Sequence, residues 1–161
     1  MSNSKSVPIT LILIMAFMIP ALGQTGQTDA AYWFDKGMTL YILNNYTESL
    51  KAYDKSLELN PLDSEAWNNR GIDLGMLGKY DEALSSFKNA TMINSSYAEA
   101  WYNMGTVYDM QGRYNSAIDA YSKATQINPS YQKALESKNA DTDMLMAPYL
   151  SCSCSRQLPV L

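Results

Sequence analysis

From residue 30 onward, apolar and small residues return in steps of three and four. Trp67, Gly71, Leu74 and Leu77 fall on one such stripe, and Leu84, Phe87, Ala90 and Ile93 on a second. Steps of this size bring side chains onto one face of a helix. Between the stripes Gly78-Lys79-Tyr80 breaks the pattern, and glycine suits the left-handed conformation that closes a helix. Asn44 stands in the same place one unit earlier, and Asn tolerates that conformation best after Gly. Pro61 and Pro129 end later stripes and turn the chain onward. The pattern predicts paired helices near 31–43 and 47–59, 64–77 and 81–93, and 98–111 and 115–127.

The pairs are copies of one another. Trp33, Trp67 and Trp101 recur every 34 residues, and Gly37, Gly71 and Gly105 follow each by four. The same period aligns Tyr46, Tyr80 and Tyr114; Leu50, Leu84 and Ile118; and Tyr53, Phe87 and Tyr121. Small residues hold two further columns, Ser49–Ala83–Ala117 and Ser56–Ala90–Ala124. Leu59, Ile93 and Ile127 close the units, each followed by Asn. Small Gly71 and Ala83 let two helices approach, while Trp67, Tyr80 and Phe87 fill the space around them. One pair cannot bury its apolar face alone, but stacked neighbours can, and three units are the usual minimum. The units run 30–63, 64–97 and 98–131.

Past residue 131 the period fades. Leu135 takes the tryptophan column and Asn139 the glycine column. Residues 132–141 still read as a helix, with Ala134 and Leu135 able to cover the last unit. This is either a solubilising cap or a fourth repeat that stops after one helix, and a broken repeat can serve as a cap. Residues 142–161 contain Pro148, Pro159 and a Ser-Cys-Ser-Cys-Ser run without periodicity, and are expected to lack fixed structure.

The first 23 residues differ from the rest. Lys5 is their only charge; the stretch from Val7 to Ile19 is apolar except for Pro8 and Thr10; Ala21-Leu22-Gly23 follows Pro20. A short basic region, an apolar region and a small-residue site, in that order, make a secretory signal peptide. The apolar run falls short of the roughly 20 residues of a membrane span. Cleavage after Gly23 gives an exported, extracytoplasmic protein, whereas retention gives a membrane anchor over residues 7–20. Residues 24–29 read as a linker.

Composition narrows the chemistry. The chain has 161 residues, 12 Lys+Arg against 16 Asp+Glu, and no His. Without a basic patch, nucleic-acid binding has little electrostatic support. The lack of His removes the commonest general base and the commonest nitrogen ligand for transition metals. Cys152 and Cys154 are one residue apart, a spacing of neither a zinc site nor a disulfide framework. Asp81-Glu82 opens a predicted helix, where acidic side chains favour the dipole. Sequons stand at Asn45, Asn89 and Asn94, of which Asn45 and Asn94 fall in predicted turns and could carry glycans on an exported chain. No enzyme, cofactor or metal is expected, because the repeats and their cap leave too little chain for a catalytic core.

The columns resemble the tetratricopeptide repeat family. The second unit offers Trp67, Gly71, Leu74, Ala83 and Phe87, with Ser95 in place of Pro; the third offers Trp101, Gly105, Tyr108, Ala117, Tyr121 and Pro129. The resemblance implies an all-α, right-handed superhelical solenoid of antiparallel helix pairs. It also implies a protein or peptide partner held on a concave face lined by the first helix of each pair. Membrane contact is expected only if the N-terminal segment is retained. The positions off the tryptophan–glycine stripe that would line that face are Phe34, Met38, Tyr41 and Ile42; Asn68, Asn69, Ile72 and Met76; and Tyr102, Asn103, Thr106, Asp109 and Met110. Asn69 and Asn103 can equally serve to hold adjacent helices. In the family members that clamp a peptide carboxylate, Lys and Arg stand where this chain has Phe34, Met38 and Glu99. Such a clamp is therefore not expected, and an uncharged or weakly apolar ligand is favoured.

Overall fold

The computed structural model describes residues 29–153. The leader reading, almost all of the linker and the last eight residues lie outside them. Seven helices follow in order: α1 (Ala30–Ile42), α2 (Tyr46–Leu59), α3 (Ser64–Met76), α4 (Tyr80–Ile93), α5 (Ala98–Met110), α6 (Tyr114–Ile127) and α7 (Gln132–Ser153). The first six lie within a residue or so of the helices that the periodicity predicts. Each helix packs on its neighbours in sequence, and α1, α3 and α5 also lie side by side. The result is an all-α solenoid of helix pairs. Among the described residues no helix is long and apolar enough to cross a membrane.

Local chemistry sets the ends of the helices. The Asp29 carboxylate accepts from the Ala31 amide, and Asp63 accepts from the amides of Glu65 and Ala66, so α1 and α3 start on side-chain caps. Within each pair the turn passes through a positive φ: 58° at Asn44, 74° at Gly78 and 70° at Gly112. The amides beyond reach back into the helix, as where Lys79 donates to the Leu74 carbonyl at 2.8 Å.

The glycine column meets the aromatic column. A Cβ placed on Gly37, Gly71 or Gly105 would lie 2.7, 2.6 or 2.5 Å from the ring Cε1 of Tyr53, Phe87 or Tyr121 respectively. These glycines are the seats of the aromatic rings, and they set how closely the two helices of a pair approach. Around them Leu74, Ala83, Phe87, Met104, Val107 and Ala120 form a buried core that spans the second and third units. Ala66, Ala100 and Ala134 form a further fully buried column, which the tryptophan-based alignment passes over.

The tryptophans do a different job. The Trp67 indole N–H donates to the Pro61 carbonyl at 2.9 Å, and Trp101 repeats the contact with Ser95 at 3.4 Å. Each thereby ties its helix to the turn that leads into it. Lys36 lies 4.6 Å from the Trp33 ring centroid and Arg70 5.6 Å from that of Trp67. Arg70 also donates to Asp54 at 2.6 Å and to Ser86 at 2.7 Å, joining α3 to α2 and α4.

The C-terminal expectation needs correcting. The cap does not stop at residue 141, and residues 142–153 continue α7 rather than lacking structure. Met146 explains this, because it occupies the column of Asn44, Gly78 and Gly112. A methionine does not take the left-handed turn cheaply, so the helix runs on where the repeats break. Pro148 falls inside it, at the loss of one backbone hydrogen bond. Ala134 is buried against the last unit as expected, but Leu135, in the tryptophan column, is 39% exposed.

Candidate functional site

Two adjoining depressions open on the face of α1, α3 and α5. The first, of about 320 Å³, is lined by Met38, Tyr41 and Ile42 of α1, Asn69 and Ile72 of α3, Glu99 of α5 and the Tyr53 ring. The second, of about 130 Å³, continues from Ile72 along Gly75 and Met76 to Asn103, Thr106 and Met110, with Gly71, Phe87 and Val107 beneath. Ile72 is common to both. The surface is mostly apolar, with amide, hydroxyl and carboxylate groups at a few points.

Most of the residues expected to line the face do so, and four are used otherwise. Phe34 packs edge-on against Tyr53, with ring centroids 5.7 Å apart. Tyr102 lies against Tyr121 and Tyr131 at 5.6 and 5.2 Å. Asn68 is 1% exposed and cannot reach a partner. Its carbonyl accepts from Asn103 at 2.9 Å and its amide donates to Asn69 at 3.3 Å, so the asparagines join α3 to α5. Asp109 faces Asp141 of the cap.

Sequence reasoning left Tyr53, Phe87 and Glu99 out of the lining. Tyr53 and Phe87 come from second helices; both are buried, and their rings floor the depressions where the glycines opposite have no side chain to cover them. The signal was the pairing of a glycine column with an aromatic column in one period. In the sequence Glu99 stands out only as a position where a clamp cation is missing.

Two buried carboxylates lie beneath this layer. Asp73 is fully buried, and neither of its oxygens has a hydrogen-bond partner. Ser49 stands beside it but donates its hydroxyl proton to the Gly37 carbonyl at 2.8 Å. Burial pushes Asp73 up to about 6. Burial, and then the Asp73 charge, push Tyr53 up to about 12. Asp141 is likewise buried and raised to about 6, by burial first and then by Asp109. Tyr121 is raised by burial, with Asp109 and Asp141 adding to it. Asp73 and Asp141 occupy the same column, 68 residues apart. Between them stands Val107, and the aromatic ahead of it is Phe87 rather than a tyrosine. Tyr53 goes with Asp73, Phe87 with Val107 and Tyr121 with Asp141.

Among the described residues no group of acidic residues and cysteines could hold a metal ion. The lining offers shape, apolar area and hydrogen-bonding groups, which suit binding.

Family models described as tetratricopeptide repeat match residues 30–63, 52–85 and 98–131, and one described as TPR repeat matches 76–112. The chain belongs to the tetratricopeptide repeat family. No curated protein matches the chain. Among solved tetratricopeptide structures, the chain is similar to that of MamA, with 25% identity and a TM-score of 0.70 over 72% of this chain and 68% of that one. It is similar to YrrB, described as a TPR protein with an unusual peptide-binding site, with 31% identity and a TM-score of 0.66 over 69% of this chain and 57% of that one. The first TPR of Spaghetti (RPAP3), bound to an HSP90 peptide, shares the fold with 21% identity and a TM-score of 0.71, covering 74% of this chain and 94% of that one.

Proposed function

We propose that the chain is a non-enzymatic protein–protein interaction module that holds a peptide or partner helix on the face of α1, α3 and α5. The continuous, largely apolar depression running from Met38 through Ile72 to Met110 carries this reading. Methionine and aromatic side chains adapt to varied partner shapes and are enriched at contact surfaces. The peptide-binding site named for YrrB supports the reading at the level of ligand class. Photo-crosslinking tests it. A crosslinking amino acid replaces Ile72 on this face, or Met92, which is exposed on α4. Adducts from position 72 and none from 92, in the native host, are the expected result. Adducts from 92 alone would move the site to the other face.

The sequence of residues 1–23 supports export, with the module working outside the cytoplasm. If the apolar stretch is kept instead, the same module is a membrane-tethered scaffold. The intact mass of the natively expressed protein separates the two, since retention of residues 1–23 in a membrane fraction would overturn cleavage.

A further inference from the structure

The binding face carries charge of one sign. Glu99 is the only charged residue lining either depression. Asp109 belongs to the same helix, and Asp35 holds in α1 the register that Asn69 holds in α3. The only cations of α1, α3 and α5 are Lys36 and Arg70. Both are turned to the tryptophan side, where Lys36 lies over Trp33 and Arg70 is held by Trp67, Asp54 and Ser86. In α7, Lys133 occupies the column of Glu99, but neither depression reaches it. Glu99 forms no ion pair among the described residues. Its charge is felt nearby: Tyr97 is pushed up to about 12 by burial first and then by Glu99, Glu65 and Asp63, and Tyr131 is raised by burial and Glu99.

An unpaired, exposed carboxylate at the edge of an apolar depression attracts a cation and repels an anion, to an extent that salt screens. We infer that the partner is a peptide segment in which an apolar side chain adjoins a lysine or arginine, the apolar group seated between Met38 and Ile72 and the cation facing Glu99. The inference rests on the binding face proposed above and adds the ligand's chemistry. It reverses the polarity of a carboxylate clamp.

The test uses the full chain and three fluorescent peptides, acetylated and amidated to remove terminal charge. Each carries two leucines around a central pair of Lys, Gln or Glu. Fluorescence anisotropy in about 0.05 M and about 0.5 M salt gives the affinities. The Lys peptide should bind about tenfold more tightly than the Gln peptide at low salt, with the Glu peptide weakest and the differences shrinking at high salt. Glu99→Gln should remove most of the preference for Lys over Gln. Equal affinities, or a preference for Glu, would overturn the charge inference and leave the binding face standing. Binding that is indifferent to Ile72→Gln in a folded protein, or absent for all three peptides, would overturn the face and the inference together. An apparent affinity that weakens as protein concentration rises would show a second copy on the face, and would overturn the proposal too.

Discussion

Asp73→Val together with Tyr53→Phe should stabilise the protein at neutral and alkaline pH. Asp73 is fully buried, both carboxylate oxygens lack partners, and the adjacent Ser49 hydroxyl is committed to the Gly37 carbonyl. Its folded pKa of about 6 lies above the ordinary 3.8. The folded state therefore holds this proton more tightly than the unfolded state. That stability is complete below about pH 4 and is lost as pH rises through about 6. At 1.36 kcal/mol per pH unit, the full loss is about 3 kcal/mol. Valine already fills the equivalent position at Val107, against Phe87, so Tyr53→Phe with Asp73→Val copies an arrangement that the chain itself uses. Urea unfolding followed by tryptophan fluorescence at pH 5 and pH 8 measures the effect. The wild type should lose stability between the two. The double variant should gain about 2–3 kcal/mol at pH 8 and about 1.4 kcal/mol less than that at pH 5, and should keep a shallower slope because Asp141, also near 6, remains. A wild type equally stable at both pH values, or a variant weaker at pH 8, would refute the reasoning, since Asp73 would then be ionised and satisfied.

Gly71→Leu should cost about 3 kcal/mol or more in the same assay, because even a Cβ there would meet the Phe87 ring at 2.6 Å; an unchanged denaturation midpoint would mean the glycine column does not seat the rings. At Gly78, with φ of 74° and open space around its Cα, Asn should cost well under about 1 kcal/mol and Val about 2 kcal/mol, as thermal melts would show. Asn103→Leu should cost about 1–3 kcal/mol by leaving the Asn68 carbonyl buried without its donor; if it costs nothing, the asparagine network does not hold α3 to α5.

The repeat architecture was legible because it is written three times. A 34-residue period in tryptophan, glycine and aromatic positions fixes helix number, turn placement and the contact between glycine and ring. Helix ends came within a residue because Asn44, Gly78 and Gly112 mark each turn by a backbone conformation that few residues adopt. The end of the array was not legible in the same way. Two prolines and a polar run suggest that helix ends by residue 141, but the deciding fact is an absence. Met146 stands where a turn residue was needed, and no capping or turn chemistry replaces it.

The proposed binding face was legible by position, but its chemistry was not. Counting three and four residues along α1, α3 and α5 finds Met38, Ile72, Thr106 and Met110, because helical geometry alone decides which side they occupy. It could not distinguish Asn69, which lines the first depression, from Asn68, which is buried in a hydrogen bond to the next repeat. Nor could it find Tyr53, whose buried ring floors the first depression because Gly37 lacks a side chain to cover it. Both failures have one cause: what a side chain presents depends on the neighbouring repeat, which a single helical stripe does not contain. The tyrosine–aspartate alternation makes the same point from inside the fold. Asp73 and Asp141 look like surface acids in sequence, yet each is buried, and at the same column Val107 accompanies the one aromatic without a hydroxyl. The unit of meaning in this array is therefore a residue together with its counterpart in the adjoining repeat. On that basis Glu99, set against the first repeat's Met38 and Tyr41 across Asn69 and Ile72, is the residue on which the chemistry of the proposed partner turns.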